Sequence, residues 1–406
     1  MKKIIMFLST VIMTLLLFTF GASALNTDRP YAESDTVKII DNVVYALNED
    51  GKSYYVEDYF ATQEAAEKAT EIKIVSEIGG IPVTMINVWK EDDLNLDSPR
   101  MESLPNIKKI TVPEGIEEIC VGAFSSLDGV KTVKLPSTVK KIWYAAFFKA
   151  DSLEKVNIPS KVTVIERGMF QGCEKLKSVK IEGKVKTIES DAFYGCKALS
   201  KISLPKTLTT IGGSAFSKTG LTSVTLPASL KNLGDEDGNA VFANCKKLTK
   251  VVFKDNDGKL LNIQMYTFSG CTALKKVYLP KSVKKIIISA FAFKGCTKLT
   301  NVYYRANIKE IKTGAFYKCK SLKSFIISQN VKIIGEEAFY GCEKLKKVTF
   351  ENTKKAPEIG EKAFSKTAKG IKFMAENKKT AKLLKTALKS SGVKTPNVYY
   401  VTYTKL

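Results

Sequence analysis

Residues 188–205 read Ile-Glu-Ser-Asp-Ala-Phe-Tyr-Gly-Cys-Lys-Ala-Leu-Ser-Lys-Ile-Ser-Leu-Pro, and close copies of this stretch recur through the chain. Aligned on the Ala-Phe pair, the copies place their aromatic at Phe124, Phe147, Phe170, Phe193, Phe216, Phe242, Phe268, Phe293, Phe316, Phe339 and Phe364. Most steps between them are 23 residues, and the remaining four are 25 or 26. A near-fixed period of this size excludes an ordinary globular core and predicts a solenoid, because one short unit cannot bury its apolar face alone.

Each unit follows Ile-x-x-x-Ala-Phe-x-x-Cys-x-x-Leu-x-x-Val-x-Leu-Pro, so its apolar positions match neither a helix stripe nor a long strand. The segment Leu199-x-x-Ile202-x-Leu204 alternates like a short strand, and Pro205 ends it because proline has no amide to donate. Stacking equivalent strands would pair their backbones and join the apolar residues into one core. Eleven such rungs follow a degenerate one at 107–112.

This pattern resembles the BspA-type leucine-rich repeat over about residues 104–374. Departures are local: Met169, Val241 and Thr267 replace the alanine, and Thr219 and Thr367 replace the cysteine. The resemblance implies a strand-lined leucine-rich repeat solenoid of about 11–12 rungs. Residues 25–103 form an N-terminal cap and irregular first rung, and residues 375–406 form a C-terminal cap. It also implies a bacterial secreted or surface protein that attaches to host matrix proteins, such as fibronectin or fibrinogen, or to other cells.

The ends read as caps. Apolar runs at 43–47 and 53–56 flank a glycine-containing turn and predict a hairpin. An alanine- and glutamate-rich piece at 62–70 suggests a short helix. At the other end Asn377 can cap a helix reaching about Ser390, with Gly392 just past its end and Ala381, Leu384 and Leu388 along one side. A strand through 398–404 follows. Residues 1–24 carry Lys2 and Lys3, an apolar run and Ala22-Ser23-Ala24, the pattern of a secretory signal cleaved before Leu25. The expectation is a secreted or cell-surface protein with no membrane span after cleavage.

Chemistry is constrained by what is missing. The chain has no histidine, which removes Ser-His-Asp and Cys-His catalysis. It shows no glycine-rich phosphate loop, no Cys-x-x-Cys pair and no complete calcium loop at 234–238 or 255–258, so no catalytic residue, cofactor or metal is assigned. Carboxylates are plentiful, but nothing in the sequence brings two together around a pocket. Seven of the eight cysteines, Cys173 to Cys342, sit three residues after the repeat phenylalanine and form one column, with Cys120 outside it. Stacked thiols point the same way, which favours buried apolar fillers over bridges between adjacent rungs.

A binding face follows from strand geometry, since residues on either side of the Val position point away from the core. Lysine takes nine of these 24 positions and acids take none, an excess that predicts an acidic partner. They include Lys109, Lys134, Lys155, Lys180 and Lys201 in the earlier rungs, and the last pair reads as Gly370 and Lys372. Between them Val252, Tyr278, Tyr303 and Ile326 make one apolar column, flanked by Lys250, Lys276, Asn301, Ser324 and Lys347. Exposed apolar columns mark contact surfaces, although strand preference for β-branched and aromatic residues also places them there. The sequence thus supports a non-enzymatic protein-binding module. Its formal charge of +23 keeps two further readings open: retention on anionic cell-wall polymers or glycans, and a secreted scaffold or inhibitor. Nucleic acid is not an expected partner for an exported chain.

Overall fold

Stacking of the repeat produces a β-solenoid of about 13 turns. The computed structural model describes residues 32–88, 104–125, 127–234, 239–255, 261–304, 308–351 and 356–400. The expected leader at 1–24, the connection at 89–100 and most of the loops at 234–238 and 255–258 lie outside these residues.

Most turns contribute two parallel strands where the repeat pattern suggests one. The first, such as Lys155–Ile158 or Lys250–Phe253, comes from the Leu-x-x-Val-x-Leu segment and pairs in register with its neighbours, Lys155 opposite Ser178 and Lys250 opposite Lys276. The second is often two residues long, as in Thr187–Ile188 and Thr210–Ile211, and forms a separate column that buries the repeat isoleucine. Two residues cannot display an alternation, so this column has no strand signature in sequence.

The turn around the Ala-Phe pair joins rungs just as regularly. The phenylalanine amide donates to the carbonyl preceding the next phenylalanine: Phe147 N to Met169 O, Phe170 N to Ala192 O, Phe293 N to Ala315 O. Amides two residues before and two after the phenylalanine do the same, as in Ala145 to Arg167 and Lys149 to Gln171. Those flanking residues have positive φ in rung after rung, whether they are Gly168, Asp191, Phe291 or Lys318. One left-handed residue two positions before the phenylalanine and one two positions after it bracket three residues that are not left-handed, and the amides at −2, 0 and +2 point along the solenoid axis, which makes a third ladder from a turn.

The core follows the same period. The repeat phenylalanines form an unbroken stack from Phe124 to Phe364, with ring centroids 4.8 to 5.5 Å apart. Cysteine packs beside it with a defined role: each column thiol donates to the phenylalanine carbonyl of the preceding rung, as Cys173 does to Phe147 O at 2.9 Å and Cys319 to Phe293 O at 3.1 Å. Burial pushes the Cys342 thiol up to about 12 and raises Cys173 and Cys196 further, so these groups stay protonated.

Both ends supply the atoms that a missing rung would have supplied. Before the first full rung, the antiparallel strands Val43–Leu47 and Tyr54–Asp58 form the hairpin, and a strand at Val37–Ile40, unmarked in the sequence, adds to it. Tyr54–Asp58 then pairs in parallel with Ile81–Ile86 to start the second column. The helix Gln63–Lys68, capped by Thr62, leads to Glu71–Lys73, which pairs with Lys109–Thr111. The Tyr59 hydroxyl donates to Ala123 O at 2.6 Å, taking the place of the phenylalanine amide of a preceding rung. At the far end the helix Lys378–Ser390 starts at Asn377, whose side chain accepts from Thr380 N. It stops at Gly392, φ +93°, where Gly392 N bonds Lys389 O and Val393 N bonds Leu388 O. Ala381, Leu384 and Leu388 cover the core, and Ser391 O accepts the amide of Lys362, completing the turn ladder. The strand Asn397–Tyr400 then extends the first column.

Two expectations about the first column are corrected. Residues 199–204, the alternating model for the repeat strand, form no strand. The following rung has one residue fewer between Phe216 and Leu221 than lies between Phe193 and Leu199, so Gly220 sits directly on the Lys197 carbonyl, where a Cβ would come within 2.2 Å. That shortening breaks the ladder between neighbouring sheets. In the last rung the outward pair is Lys372 and Met374, because Phe373 takes the inward Val position opposite Val348. Gly370 occupies the leucine place instead.

Replacing Tyr59 by phenylalanine leaves the Ala123 carbonyl without its cap. We expect a loss of about 1–3 kcal/mol in urea unfolding, confined to the amino-terminal rungs; an unchanged transition contradicts the capping role.

Candidate protein-binding face

On the first strand column, Val and Leu side chains point into the core and their neighbours point out, so outward residues form two files along the solenoid. Register places Lys109, Lys155, Lys250, Lys276, Asn301, Ser324, Lys347 and Lys372 in one file. The parallel file holds Lys134, Lys180, Val252, Tyr278, Tyr303 and Ile326, and in the strandless rung Lys201 takes the place equivalent to Lys155 of the first file. All the lysines named here are exposed.

The apolar file is longer than the four-residue stretch visible in sequence. Ile326 is opposite Thr349, Thr349 opposite Met374 and Met374 opposite Tyr399, so the stripe runs from Val252 to the last strand. Its exposed members are Tyr303 at 41%, Ile326 at 44% and Tyr399 at 47%. Tyr278 and Tyr303 stack with centroids 4.6 Å apart. Lys250 Nζ lies 5.2 Å from the Tyr278 ring centre, and Lys372 Nζ lies 5.7 Å from Tyr399, so an ammonium rests on a tyrosine near each end.

Neutralisation is uneven along the face: among the described residues Lys134, Lys155 and Lys201 form no ion pair, but two of their neighbours do. In the earlier rungs Lys109 pairs with Glu71 at 3.4 Å and Lys180 with Glu182 at 2.9 Å. Away from the stripe, glutamates reach between rungs to Lys140, Lys177 and Lys320. Among the described residues, Lys250, Lys276, Lys347 and Lys372 form no ion pair. The apolar stripe is therefore bordered by unneutralised positive charge.

A family model described as BspA type leucine rich repeat region (6 copies) matches residues 100–198, 175–291 and 262–392. The chain belongs to the BspA-type leucine-rich repeat family. Among solved structures, a leucine-rich repeat protein from Bacteroides ovatus ATCC 8483 is similar at 23% identity, covering 90% of this chain and 100% of its own, with a TM-score of 0.61. A leucine-rich cell surface protein from Faecalibacterium prausnitzii A2-165 shares 20% identity over 87% of this chain and 98% of its own, with a TM-score of 0.42. The pneumococcal vaccine antigen PcpA shares 18% identity over 91% and 100%, with a TM-score of 0.39. The Bacteroides structure shows the same fold. No curated protein matches the chain.

The BspA-type array also brings together two carboxylates that the sequence leaves 23 residues apart. Glu166 and Glu189 occupy equivalent positions on adjacent rungs and hydrogen-bond to each other, beside a hollow of about 350 Å³ lined by Arg167, Thr187, Glu189, Ser190 and Thr210. Burial, then the Glu189 charge and the shared hydrogen bond, push Glu166 up to about 7 against the opposing pull of Lys141. Carboxyls in hydrogen-bond contact are closer than the ~5–5.5 Å of a retaining glycosidase pair or the ~6.5–9.5 Å of an inverting one. Their geometry suits a shared proton. Among the described residues no group of three or more acidic or cysteine side chains could hold a metal, and no helix is long and apolar enough to cross a membrane.

Because the fold holds this proton more tightly than the unfolded chain, its stabilising contribution is full below about pH 4.5 and is lost as pH rises through about 7. Glu166→Gln should therefore flatten the fall in melting temperature between pH 5 and 8. An identical pH profile for the variant contradicts the shared-proton assignment.

Proposed function

We propose that this protein is an exported, non-catalytic binding module that attaches to a host matrix protein or another surface protein through the later half of its strand face. Membership of a repeat family built for protein binding supports the general reading. The observation that carries the specific one is the stripe from Val252 to Tyr399 with its unneutralised lysines. Aromatic anchors surrounded by charge are the usual composition of an interface hot spot, and ammonium groups without internal partners favour an acidic partner. Tyr278 and Tyr303 hold the centre, with Asn301 and Ser324 as hydrogen-bonding positions beside them. Lys109, Lys134, Lys155, Lys180 and Lys201 add a longer-range field that hastens encounter.

Binding of the chain without its leader to a panel of immobilised matrix proteins, at low and at ~0.5 M salt, tests this reading. Attachment to one protein should survive in part at high salt because the tyrosine contact is apolar. The double substitution Tyr278→Ser, Tyr303→Ser should weaken it more than tenfold while leaving the melting temperature within a few degrees, since neither ring lies in the core. Unchanged affinity of the double variant removes the stripe as the site.

A further inference from the structure

A second surface, on the turn ladder and not on the strand face, has its own chemistry. Tyr266 and Phe291 occupy the left-handed position two residues before the repeat phenylalanine, with φ of +58° and +56°. Other rungs place Gly122, Gly168 or Gly314 there, or Ala145, Asp191, Ser214, Ala240, Glu337 or Lys362, so Tyr266 and Phe291 are the residues that put an aromatic ring at this position among the described residues. The two rings stack 5.3 Å apart, and Phe291 lies so closely over Gly314 that a Cβ on that glycine would come within 2.2 Å of the ring. Tyr266 is exposed, so its ring is not a requirement of the core.

Lysines continue this strip along the axis. Lys294 Nζ lies 5.2 Å from the Phe291 ring centre and 5.8 Å from Tyr317, which stacks on Tyr340 at 5.1 Å. Lys318 Nζ sits 5.2 Å from Tyr317 and Lys366 Nζ 5.2 Å from Tyr340. None of these three lysines forms an ion pair among the described residues, whereas Lys362 beyond them is already paired with Glu361 and ends the strip.

We infer that this turn-edge strip binds a linear phosphodiester polymer, separately from the protein-binding face. Stacked rings turn their faces to one another and their electropositive edges outward, which favours anions and offers no platform for a neutral sugar ring. Three ammonium groups without an ion pair among the described residues, Lys294 one position after its repeat phenylalanine and Lys318 and Lys366 two positions after theirs, lie one and two rungs apart at about 4.8 Å per rung and suit a flexible chain of negative charge. A cell-wall polymer of the glycerol-phosphate type has this chemistry. Such binding would retain an exported chain at the surface and leave its strand face open to a partner.

The probe is purified poly(glycerol phosphate), with polyglutamate as the peptide competitor. Lys294→Ala, Lys318→Ala, Lys366→Ala should lose at least tenfold in affinity and reduce the slope of log affinity against log salt by about 2. A charge-matched variant, Lys134→Ala, Lys155→Ala, Lys201→Ala, should lose less than threefold. Tyr266→Gly should weaken polymer binding without lowering the melting temperature, because glycine relieves the backbone. The Tyr278→Ser, Tyr303→Ser variant should bind the polymer normally, which separates this surface from the protein-binding one. Equal losses in the two lysine variants, no binding of the intact chain, or tighter binding of polyglutamate would overturn the inference.

Discussion

The two left-handed residues that bracket the buried repeat phenylalanine, two positions before it and two after, are the constraint on which the rest depends. They send the amides of positions such as Ala145, Phe147 and Lys149 to the next rung, so a turn far from either strand column still carries a complete ladder. The phenylalanine stack and the column thiols follow from that spacing, and the residue beside each ring is buried between rungs, an alanine in most and Met169, Val241 or Thr267 in the others. Termination follows as well. A ladder that ends must leave donors or carbonyls unpaired, and the Tyr59 hydroxyl and Ser391 carbonyl are placed where the absent rung would have met them.

How much was legible in sequence depended on whether a signal repeats in residue type or only in backbone geometry. The Ile, Phe, Cys and Leu positions repeat in type, and they define the rungs, most of the first strand column and the cysteine file. Left-handed positions do not, because lysine, tyrosine and glutamate occupy them as readily as glycine. Two-residue strands such as Val164–Ile165 are too short for a period to appear. The missing strand at 199–204 reflects a one-residue shortening in the rung that follows it, a feature of the neighbour and not of the segment. In the last rung Ile371 attracts the Val assignment by its β-branched side chain, and only pairing of Phe373 with Val348 establishes the register. That shift concealed Met374 and Tyr399 as the continuation of the apolar stripe.

Charge is distributed by the same periodicity. A lysine and a glutamate one period apart become neighbours on adjacent rungs, as with Lys140 and Glu117 or Lys177 and Glu154, and these exposed pairs add little stability. Their larger consequence is selective neutralisation. Glutamate reaches some lysines, but among the described residues it leaves Lys134, Lys155, Lys201, Lys250, Lys276, Lys347 and Lys372 on the strand face, and Lys294, Lys318 and Lys366 on the turn edge, without an ion pair. The equivalent juxtaposition of two acids, Glu166 and Glu189, is resolved by sharing a proton. Net charge alone gives no hint of this division.

Amide hydrogen exchange resolved to single residues tests the organising claim most directly. If the turn ladder carries the solenoid, amides at Phe147, Phe170, Phe193 and Phe293, and at Lys149, Gly195 and Lys318, will be protected as strongly as those of the strands Lys155–Ile158 and Lys250–Phe253, although they belong to no strand. Fast exchange at these turns beside protected strands would contradict it, and would mean that the sheets alone hold the rungs together.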